Sequence, residues 1–241
     1  MASWTRRSTS EHNKDLRLNI NNKVEEAYGL KLKWLGHSCF LLTSSKGVRV
    51  LMDPYDEMIG KAVPDTEADI VTVSHQHGDH NYVKAVKGPY TLVDKTGTFK
   101  KGGIEIKGIQ TAHDASGGSQ RGKNIIFKVD IDGISVCHCG DLGHLLTAEQ
   151  VKDIGRVDVL LLPVGGFFTI DAKTAAEVGK QLKSPVIIPM HYNTGGIKLP
   201  IKGVEPFIEA MGGAKKLGTS EVELDAGGLS RHSGAVILSL E

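Results

Sequence analysis

One short segment of the sequence concentrates side chains that bind metal ions. The string His-Gln-His-Gly-Asp-His begins at His75 and follows an apolar run that is typical of a buried strand. Imidazole and carboxylate groups are ligands for divalent first-row metals, and Gly78 permits a tight turn that lets neighbouring side chains converge. In this spacing His75 and His77 can chelate one ion, while Asp79 and His80 point to a second. The alternative is a polar loop whose histidines cluster by chance, and the density of ligands favours the metal site.

Three more candidate ligands stand alone in the sequence, each after a predicted strand. Two ions need more ligands than one segment supplies, and binding sites in such folds gather where strands end. His113, Asp141 and His191 all occupy this type of position. A lone His or Asp there is more often a cap or turn residue, but the histidine cluster elsewhere in the chain favours the ligand interpretation.

Asp53 and two further histidines are candidates for supporting the site. Asp53 follows a predicted strand, where its carboxylate can accept a hydrogen bond from a ligating imidazole and fix the tautomer of that ring. His138 and His144 flank Asp141, so one of them can line the pocket. Simple burial is the favoured interpretation for both.

The elements that must position these residues are short apolar runs separated by Gly, Asp and Pro. Such runs predict strands at residues 32–35, 39–42, 48–52, 70–73, 90–93, 104–109, 125–129, 134–137, 159–162 and 186–188. Helical periodicity occurs at residues 81–86, 147–154, 172–182 and 204–211, and Thr147 and Asp171 are suited to cap two of these helices. Early strands come as hairpins and later ones alternate with helices. This order predicts an α/β fold in which two mixed sheets pack face to face with helices on the outer faces.

Composition is that of an ordinary globular protein. Of the 241 residues, 40% are hydrophobic and 24% are charged, and the formal net charge is +1. No overall charge therefore attracts the chain to nucleic acid or to anionic lipid. We expect a polar N-terminal arm over residues 1–29 and a single folded domain over residues 30–241.

The cellular location is predicted from apolar runs and cysteines. No run approaches the ~18–20 apolar residues that cross a membrane, and the beginning of the chain has no apolar segment suited to a signal peptide. The cysteines, Cys39, Cys137 and Cys139, are few and odd in number, which fits small buried thiols in a reducing compartment. We expect a cytoplasmic protein without disulfides.

The chain resembles the metallo-β-lactamase superfamily, whose His-x-His-x-Asp-His signature matches residues 75–80. Within it, the chain is most similar to the lactonase-type branch of metal-dependent hydrolases related to the bacterial ascorbate-6-phosphate lactonase. This second resemblance depends on an ordered set of strings: Gly-His-Ser-Cys-Phe from Gly36, Asp-Pro from Asp53, Gly-Asp-Leu-Gly-His from Gly140, Pro-Val-Gly-Gly from Pro163 and Pro-Met-His-Tyr from Pro189. The match covers about residues 31–241.

The resemblance implies a four-layer αββα sandwich with a complete set of metal ligands. It assigns His75, His77 and His113 to one ion, Asp79, His80 and His191 to the other, and Asp141 to a bridge between them. It also places His37 near the site, where we expect this side chain to contact a ligand, a bound water or the substrate. A turn histidine without a role is the alternative. Asp79 and His37 are the candidate catalytic residues.

This ligand set predicts metal-assisted hydrolysis. Two divalent ions about 3.5–4 Å apart can share a hydroxide at neutral pH and polarise the attacked oxygen, so no nucleophilic side chain is required. A Gly-x-Ser-x-Gly elbow and a phosphate-binding glycine-rich loop are absent from the sequence, which disfavours serine hydrolases and P-loop enzymes. The ligands accommodate zinc or manganese, with iron as a further candidate.

The expected substrate is a small anionic molecule with an ester-like bond, a lactone or a phosphodiester. Two ions outweigh the charge of two aspartates and a hydroxide, so the site is net positive. A nuclease acting on RNA or DNA is one alternative, disfavoured by the lack of a basic stripe with aromatic residues. A metal-binding protein without catalysis is another, disfavoured by the complete ligand set. No membrane partner is expected, and a homo-oligomer is left open. Loops at residues 114–123 and 194–200 are expected to set specificity.

Overall fold

The computed structural model describes Met1 and residues 29–60 and 63–240. The predicted N-terminal arm therefore lies almost wholly outside the described residues. In chain order the strands are β1 (Leu30–Gly36), β2 (Cys39–Thr43), β3 (Arg49–Met52), β4 (Thr66–Glu67), β5 (Ile70–Thr72), β6 (Val86–Lys87), β7 (Thr91–Val93), β8 (Gly97–Lys101), β9 (Ile104–Ala112), β10 (Lys123–Ile131), β11 (Ile134–His138), β12 (Val159–Pro163), β13 (Val186–Met190), β14 (Lys215–Lys216), β15 (Glu221–Leu224) and β16 (Gly234–Ile237). The α-helices are α1 (Ala148–Ile154), α2 (Ala172–Leu182) and α3 (Glu205–Ala210). Short 3-10 helices span Glu57–Ile59, Val83–Ala85 and Leu229–His232.

The strands form two large mixed sheets and one small sheet. The first sheet has the order β15-β1-β2-β3-β5-β7, the second has the order β14-β16-β13-β12-β11-β10-β9-β8, and β4 pairs with β6. In the second sheet, β9 and β11 are each antiparallel to β10, and β11, β12 and β13 are parallel to one another. The carboxyl ends of β9, β11, β12 and β13 therefore share one edge of the sheet.

The two sheets pack face to face around a large hydrophobic core. This core takes Trp34 and Phe40 from the first sheet and Phe127 and Leu161 from the second. β1 alternates buried with more exposed residues, whereas β11, β12 and β13 are buried throughout. Continuous burial is expected where parallel strands are covered on both faces. The predicted α/β fold of packed mixed sheets is confirmed.

The two outer faces are covered differently. On the second sheet, α1 packs against β9 and α2 against β12. The opposite face of the first sheet holds a smaller apolar cluster that includes Leu51, Val71, Tyr55 and Ile59. In the described part of the chain, loops and 3-10 turns build this layer, without an α-helix.

Two of the predicted helices have the caps that the sequence indicates. The Thr147 hydroxyl accepts a hydrogen bond from the Gln150 backbone N–H, and the Gln150 side chain in turn accepts from the Thr147 N–H. The Asp171 carboxylate accepts from the Thr174 N–H at the start of α2. These contacts satisfy backbone donors that have no partner inside the helix.

The prediction of a helix at residues 81–86 is wrong. Only Val83–Ala85 forms a 3-10 turn, and Val86 instead enters β6, where it pairs with Thr66 of β4. The Tyr82 N–H donates to the Pro54 carbonyl at 2.7 Å. Because these tertiary partners use the backbone groups, the segment cannot form the backbone hydrogen bonds that would extend a helix. α3 is also shorter than predicted, ending at Ala210.

The structure also bears on the expected state of the cysteines and on the expected lack of a membrane-spanning segment. Cys39, Cys137 and Cys139 are all free and buried, so the prediction of small buried thiols is confirmed. Among the described residues, no helix is both long and apolar enough to pass through a membrane.

Candidate metal centre

The predicted ligands lie at strand ends along one edge of the fold. His113 directly follows β9, His191 directly follows β13, and Asp141 lies in the loop after β11. Because these strands run in the same direction, their loops emerge side by side. The segment that begins at His75 follows β5 of the first sheet and meets these loops from the other side.

The structure gathers the candidate ligands into groups that share one centre. Within each group, one ligand atom per residue lies within 4.8 Å of the others. The groups are His75, His77 and His113; His37, Asp79, His80 and His191; and His75, His80 and Asp141. The first two groups match the expected division between two ions, except that His37 joins the second.

Asp141 lies between the groups. Its Oδ2 atom is 3.1 Å from His113 Nε2 and 3.3 Å from His191 Nε2, and its Oδ1 atom is 3.1 Å from His80 Nε2. Its side chain is buried, with an exposed fraction of 2%. A single carboxylate thus reaches imidazoles assigned to both ions, as a bridging ligand must.

Several buried atoms at this centre form no hydrogen bond of acceptable geometry among the described residues, although Asp141 oxygens lie 3.1–3.3 Å from two of the imidazole nitrogens. They include His75 Nε2, His80 Nε2, His191 Nε2 and Asp141 Oδ1. Leaving a buried polar atom unpaired costs about 1–3 kcal/mol, and such orphans are rare in native proteins. Converging imidazole nitrogens and carboxylate oxygens are the donor set of zinc, manganese and iron sites. The residues present therefore fit divalent metal ions.

A buried carboxylate fixes the orientation of histidines from both groups. Asp53 accepts hydrogen bonds from the Ser74 backbone N–H at 2.8 Å, from the Ser74 hydroxyl at 2.5 Å and from His80 Nδ1 at 2.8 Å. Since the Ser74 hydroxyl donates to Asp53, it accepts from His75 Nδ1 at 2.9 Å. Both imidazoles thus carry a proton on Nδ1, so Nε2 is the atom that each ring directs to the centre.

Asn124 anchors the Asp141 loop, and sequence reasoning missed it. Its Oδ1 accepts from the Asp141 N–H at 3.0 Å, and its Nδ2 donates to the Thr111 hydroxyl and to the Cys139 carbonyl. Gly140 has φ 53° and lies so close to Asn124 that a Cβ atom there would clash. The signal available in the sequence was a polar residue directly before the apolar run 125–129.

Burial favours the neutral form that binds metal in three histidines of the centre, His37, His75 and His77, by lowering the pKa of each. It lowers the pKa of His75 to about 3 and that of His37 to about 4. Burial also acts on His80, but Asp141 and Asp53 outweigh it and raise the pKa of His80 above its usual value. In the metal-free protein His80 therefore holds a second proton on Nε2, and a metal ion bound there would replace it.

The two carboxylates of the centre are held ionised. Burial opposes the charge on Asp79, but a hydrogen bond from His37 and the nearby His80 together outweigh it and lower the pKa of Asp79. Burial likewise opposes the charge on Asp141, and the nearby His191 and His80 outweigh it and lower the pKa of Asp141. Both groups can therefore bind cations at neutral pH without first losing a proton.

The turn that carries His37 brings this side chain into the centre. His37 is buried and has φ 49°, a left-handed conformation that is uncommon for a residue with a side chain. Its Nε2 atom lies 3.2 Å from Asp79 Oδ2, and its ring centre lies 4.2 Å from that of His191. Asp79 is the more open partner, with 14% of its side chain exposed.

The other two histidines near Asp141 bind backbone groups instead. His138 Nε2 donates to the Ser38 carbonyl at 2.8 Å, and His138 Nδ1 accepts from the Gly140 N–H. His144 Nε2 accepts from the Ala112 N–H at 3.1 Å. Both rings thus hold loops beside the ligands. His138 is fully buried, in keeping with the burial interpretation, whereas His144 is only half-buried.

Comparison with known proteins identifies similar metal-dependent hydrolases. Residues 31–191 match the family model described as a β-lactamase superfamily domain. A metal-dependent hydrolase of Thermoplasma acidophilum is 32% identical over 191 residues, which cover 68% of this chain and 84% of the relative. One of Pyrococcus abyssi is 31% identical over 194 residues, covering 68% of this chain and 85% of the relative.

Solved structures show the same likeness. A Thermotoga maritima protein assigned to the metallo-β-lactamase superfamily as a zinc-dependent hydrolase is 38% identical, with a TM-score of 0.74 over 88% of this chain and 100% of that chain. A metallo hydrolase of Ignicoccus hospitalis is 22% identical and has a TM-score of 0.61 over 88% of this chain and 95% of that chain. The latter likeness shows a shared fold.

Proposed function

Because the chain belongs to the metallo-β-lactamase superfamily and is a metal-dependent hydrolase, we propose that it cleaves a lactone or a phosphodiester in a small anionic substrate, using two metal ions. The observation that carries this proposal is the position of Asp141. Its carboxylate lies within 3.3 Å of His80, His113 and His191, which belong to two separate ligand groups.

The proposed ligand sets follow the two groups. His75, His77 and His113 hold one ion, Asp79, His80 and His191 hold the second, and Asp141 contacts both. When bound, two divalent ions lower the pKa of a water molecule toward about 7 and stabilise negative charge on the attacked oxygen. We propose zinc or manganese as the native metal, with iron as the third candidate.

The substrate class follows from charge. Two divalent ions exceed the negative charge of Asp79 and Asp141, so the loaded centre attracts anions. The formal net charge of the whole chain is only +1, which favours a small anionic molecule over a nucleic acid polymer.

We assign different roles to the two candidate catalytic residues. Asp79 is partly exposed, so its carboxylate borders the space open to substrate. His37 is buried behind it and neutral, and it donates from Nε2 to Asp79 Oδ2. In this arrangement His37 holds the Asp79 carboxylate in one orientation.

Replacing His37 by alanine is expected to lower turnover while sparing metal content. Loss of an orienting partner of a metal ligand typically costs about 10- to 100-fold, and His37→Asn, which retains a short N–H donor, should recover part of that loss. Turnover and metal per chain would be measured for both variants. Loss of the second ion would instead make His37 a ligand, and unchanged turnover would leave it without a role.

The proposed function is tested by metal analysis and a substrate screen. Purified protein would be stripped with chelator, reloaded with zinc, manganese or iron, and assayed on lactones, phosphodiesters and a short RNA. We expect two ions per chain and hydrolysis of at least one lactone or phosphodiester. One ion per chain would contradict the two-metal site, and cleavage of RNA alone would favour the nuclease.

A further inference from the structure

A rigid loop begins directly after the ligand His113. The Asp114 carboxylate accepts hydrogen bonds from the backbone N–H groups of Ser116, Gly118, Gln120 and Arg121, at 2.8, 3.0, 3.0 and 2.8 Å. The His113 N–H donates to the carbonyl of Gly122 at 3.0 Å. The backbone of Arg121 is therefore fixed relative to His113, because bonds on both sides of it tie the loop to residues 113 and 114.

A second loop beside the centre carries a pair of aromatic residues. Phe167 and Phe168 follow β12, and Ile170 in the same loop donates its backbone N–H to the carbonyl of Leu142, next to Asp141. The two rings form an edge contact with centres 4.7 Å apart. Phe167 has φ 62° and is 63% exposed, so this loop presents a large apolar side chain to solvent.

The side chain of Arg121 joins the two loops. The central carbon of its guanidinium lies 5.7 Å from the centre of the Phe168 ring, which is a cation–π contact. One loop is bonded to His113 and the other to the neighbour of Asp141, and these two ligands are 3.1 Å apart. The contact between the loops thus lies at the same strand-end edge as the metal ligands.

The charge of Arg121 has no carboxylate partner in the described ranges. The other arginines there form ion pairs: Arg49 with Glu67, Arg156 with Asp158, and Arg231 with Asp225. Stacking on an aromatic ring uses the face of a guanidinium and leaves the N–H donors in its plane available, and these donors match carboxylate and phosphate groups.

We propose that Arg121, held on Phe168, determines specificity by binding an anionic group of the substrate that lies apart from the scissile bond, with Phe167 contacting the apolar part next to it. This inference rests on the proposed hydrolysis of a small anionic molecule. It adds that this substrate carries a carboxylate or phosphate group at a distance from the bond that is cleaved.

The test compares two chromogenic esters of equal acyl length. Mono-4-nitrophenyl glutarate carries a distal carboxylate, whereas 4-nitrophenyl pentanoate carries none. In metal-loaded protein, Arg121→Gln should raise KM for the glutarate ester about 10-fold or more, with a smaller change in kcat and no change for the pentanoate ester. Arg121→Lys should lie between wild type and Arg121→Gln, and Phe168→Leu should show part of the loss. Lys123→Gln, which removes an exposed charge nearby, should leave both esters unchanged.

A binding measurement separates this inference from the proposed function. Calorimetry on the loaded protein would compare glutarate with pentanoate, in wild type and Arg121→Gln. If neither ester is hydrolysed but wild type prefers glutarate and the variant does not, the inference holds and ester hydrolysis fails. If the esters are hydrolysed but Arg121→Gln leaves the preference for the distal carboxylate intact, the inference is overturned. Absence of a glutarate preference in wild type overturns it equally, and matched melting temperatures exclude misfolding.

Discussion

Replacing Asp141 by alanine is expected to abolish hydrolysis and release one metal ion while leaving the metal-free fold intact. The carboxylate lies 3.1–3.3 Å from imidazoles of both ligand groups, and it supplies the negative charge that lets two cations sit close together. The fall in activity should exceed the roughly 10- to 100-fold loss typical of an outer partner of a ligand. Asp79→Ala should behave similarly, because it removes a carboxylate from the second group.

Stability should respond only through the metal. Asp141 follows β11, and its backbone N–H can still donate to Asn124 in the variant. The packed runs of β5 and β11 are unchanged, so the metal-free forms should melt alike. A bound ligand stabilises the native state by mass action, and about 1 kcal/mol corresponds to roughly 2–4 °C at this chain length. Loaded wild type should therefore melt several degrees above the loaded variant.

The measurements are metal per chain, hydrolysis of the best substrate from the screen, and melting with and without chelator. Asp153→Ala serves as the matched control, since it removes an exposed carboxylate from α1. Full activity in Asp141→Ala or Asp79→Ala would contradict the proposed mechanism. A large loss of metal-free stability would show instead that the carboxylates hold the fold.

The parts of the site that could be predicted are those encoded locally. The segment from His75 to His80 carries its ligands within one turn, so residue types and spacing suffice. His113 and His191 could be proposed because apolar runs mark where β9 and β13 end. Sheet order then brings these ends together, which the family resemblance implied and the residue pattern alone did not.

The unpredicted parts depend on contacts between distant segments. Ser74 reads as the last residue of an apolar run, and only the position of Asp53 shows that its hydroxyl links the His75 imidazole to the carboxylate that His80 contacts directly. The helix wrongly predicted at residues 81–86 failed for the same reason, since pairing of β6 with β4 is a tertiary effect. Short strands such as β15, with a charged residue at every second position, carry too little apolar pattern to be recognised.

Asp53 is expected to differ from Asp141 by stabilising the metal-free fold as well as the metal centre. Its carboxylate is fully buried and accepts from the Ser74 N–H, the Ser74 hydroxyl and His80 Nδ1. In Asp53→Ala these donors lose their acceptor inside the protein, and each unsatisfied buried group costs about 1–3 kcal/mol. The chelator-treated variant should therefore melt well below chelator-treated wild type.

Asp53→Asn separates the two roles. The amide keeps the volume of the carboxylate but has one acceptor oxygen and an NH2 group that must face an acceptor. If the amide oxygen takes the place of Oδ1 and keeps the Ser74 N–H, the NH2 takes the place of Oδ2, which His80 Nδ1 contacts. His80 Nδ1 must then accept, and the proton moves to Nε2, where it blocks the second ion. We expect metal-free stability closer to wild type than in Asp53→Ala, with affinity for the second ion lowered about 10- to 100-fold. Melting after chelation, metal titration and nitrogen NMR of the histidine rings would measure these effects. If Asp53→Asn bound both ions as tightly as wild type, with the Nδ1 proton still on His80, Asp53 would have no part in setting the tautomer.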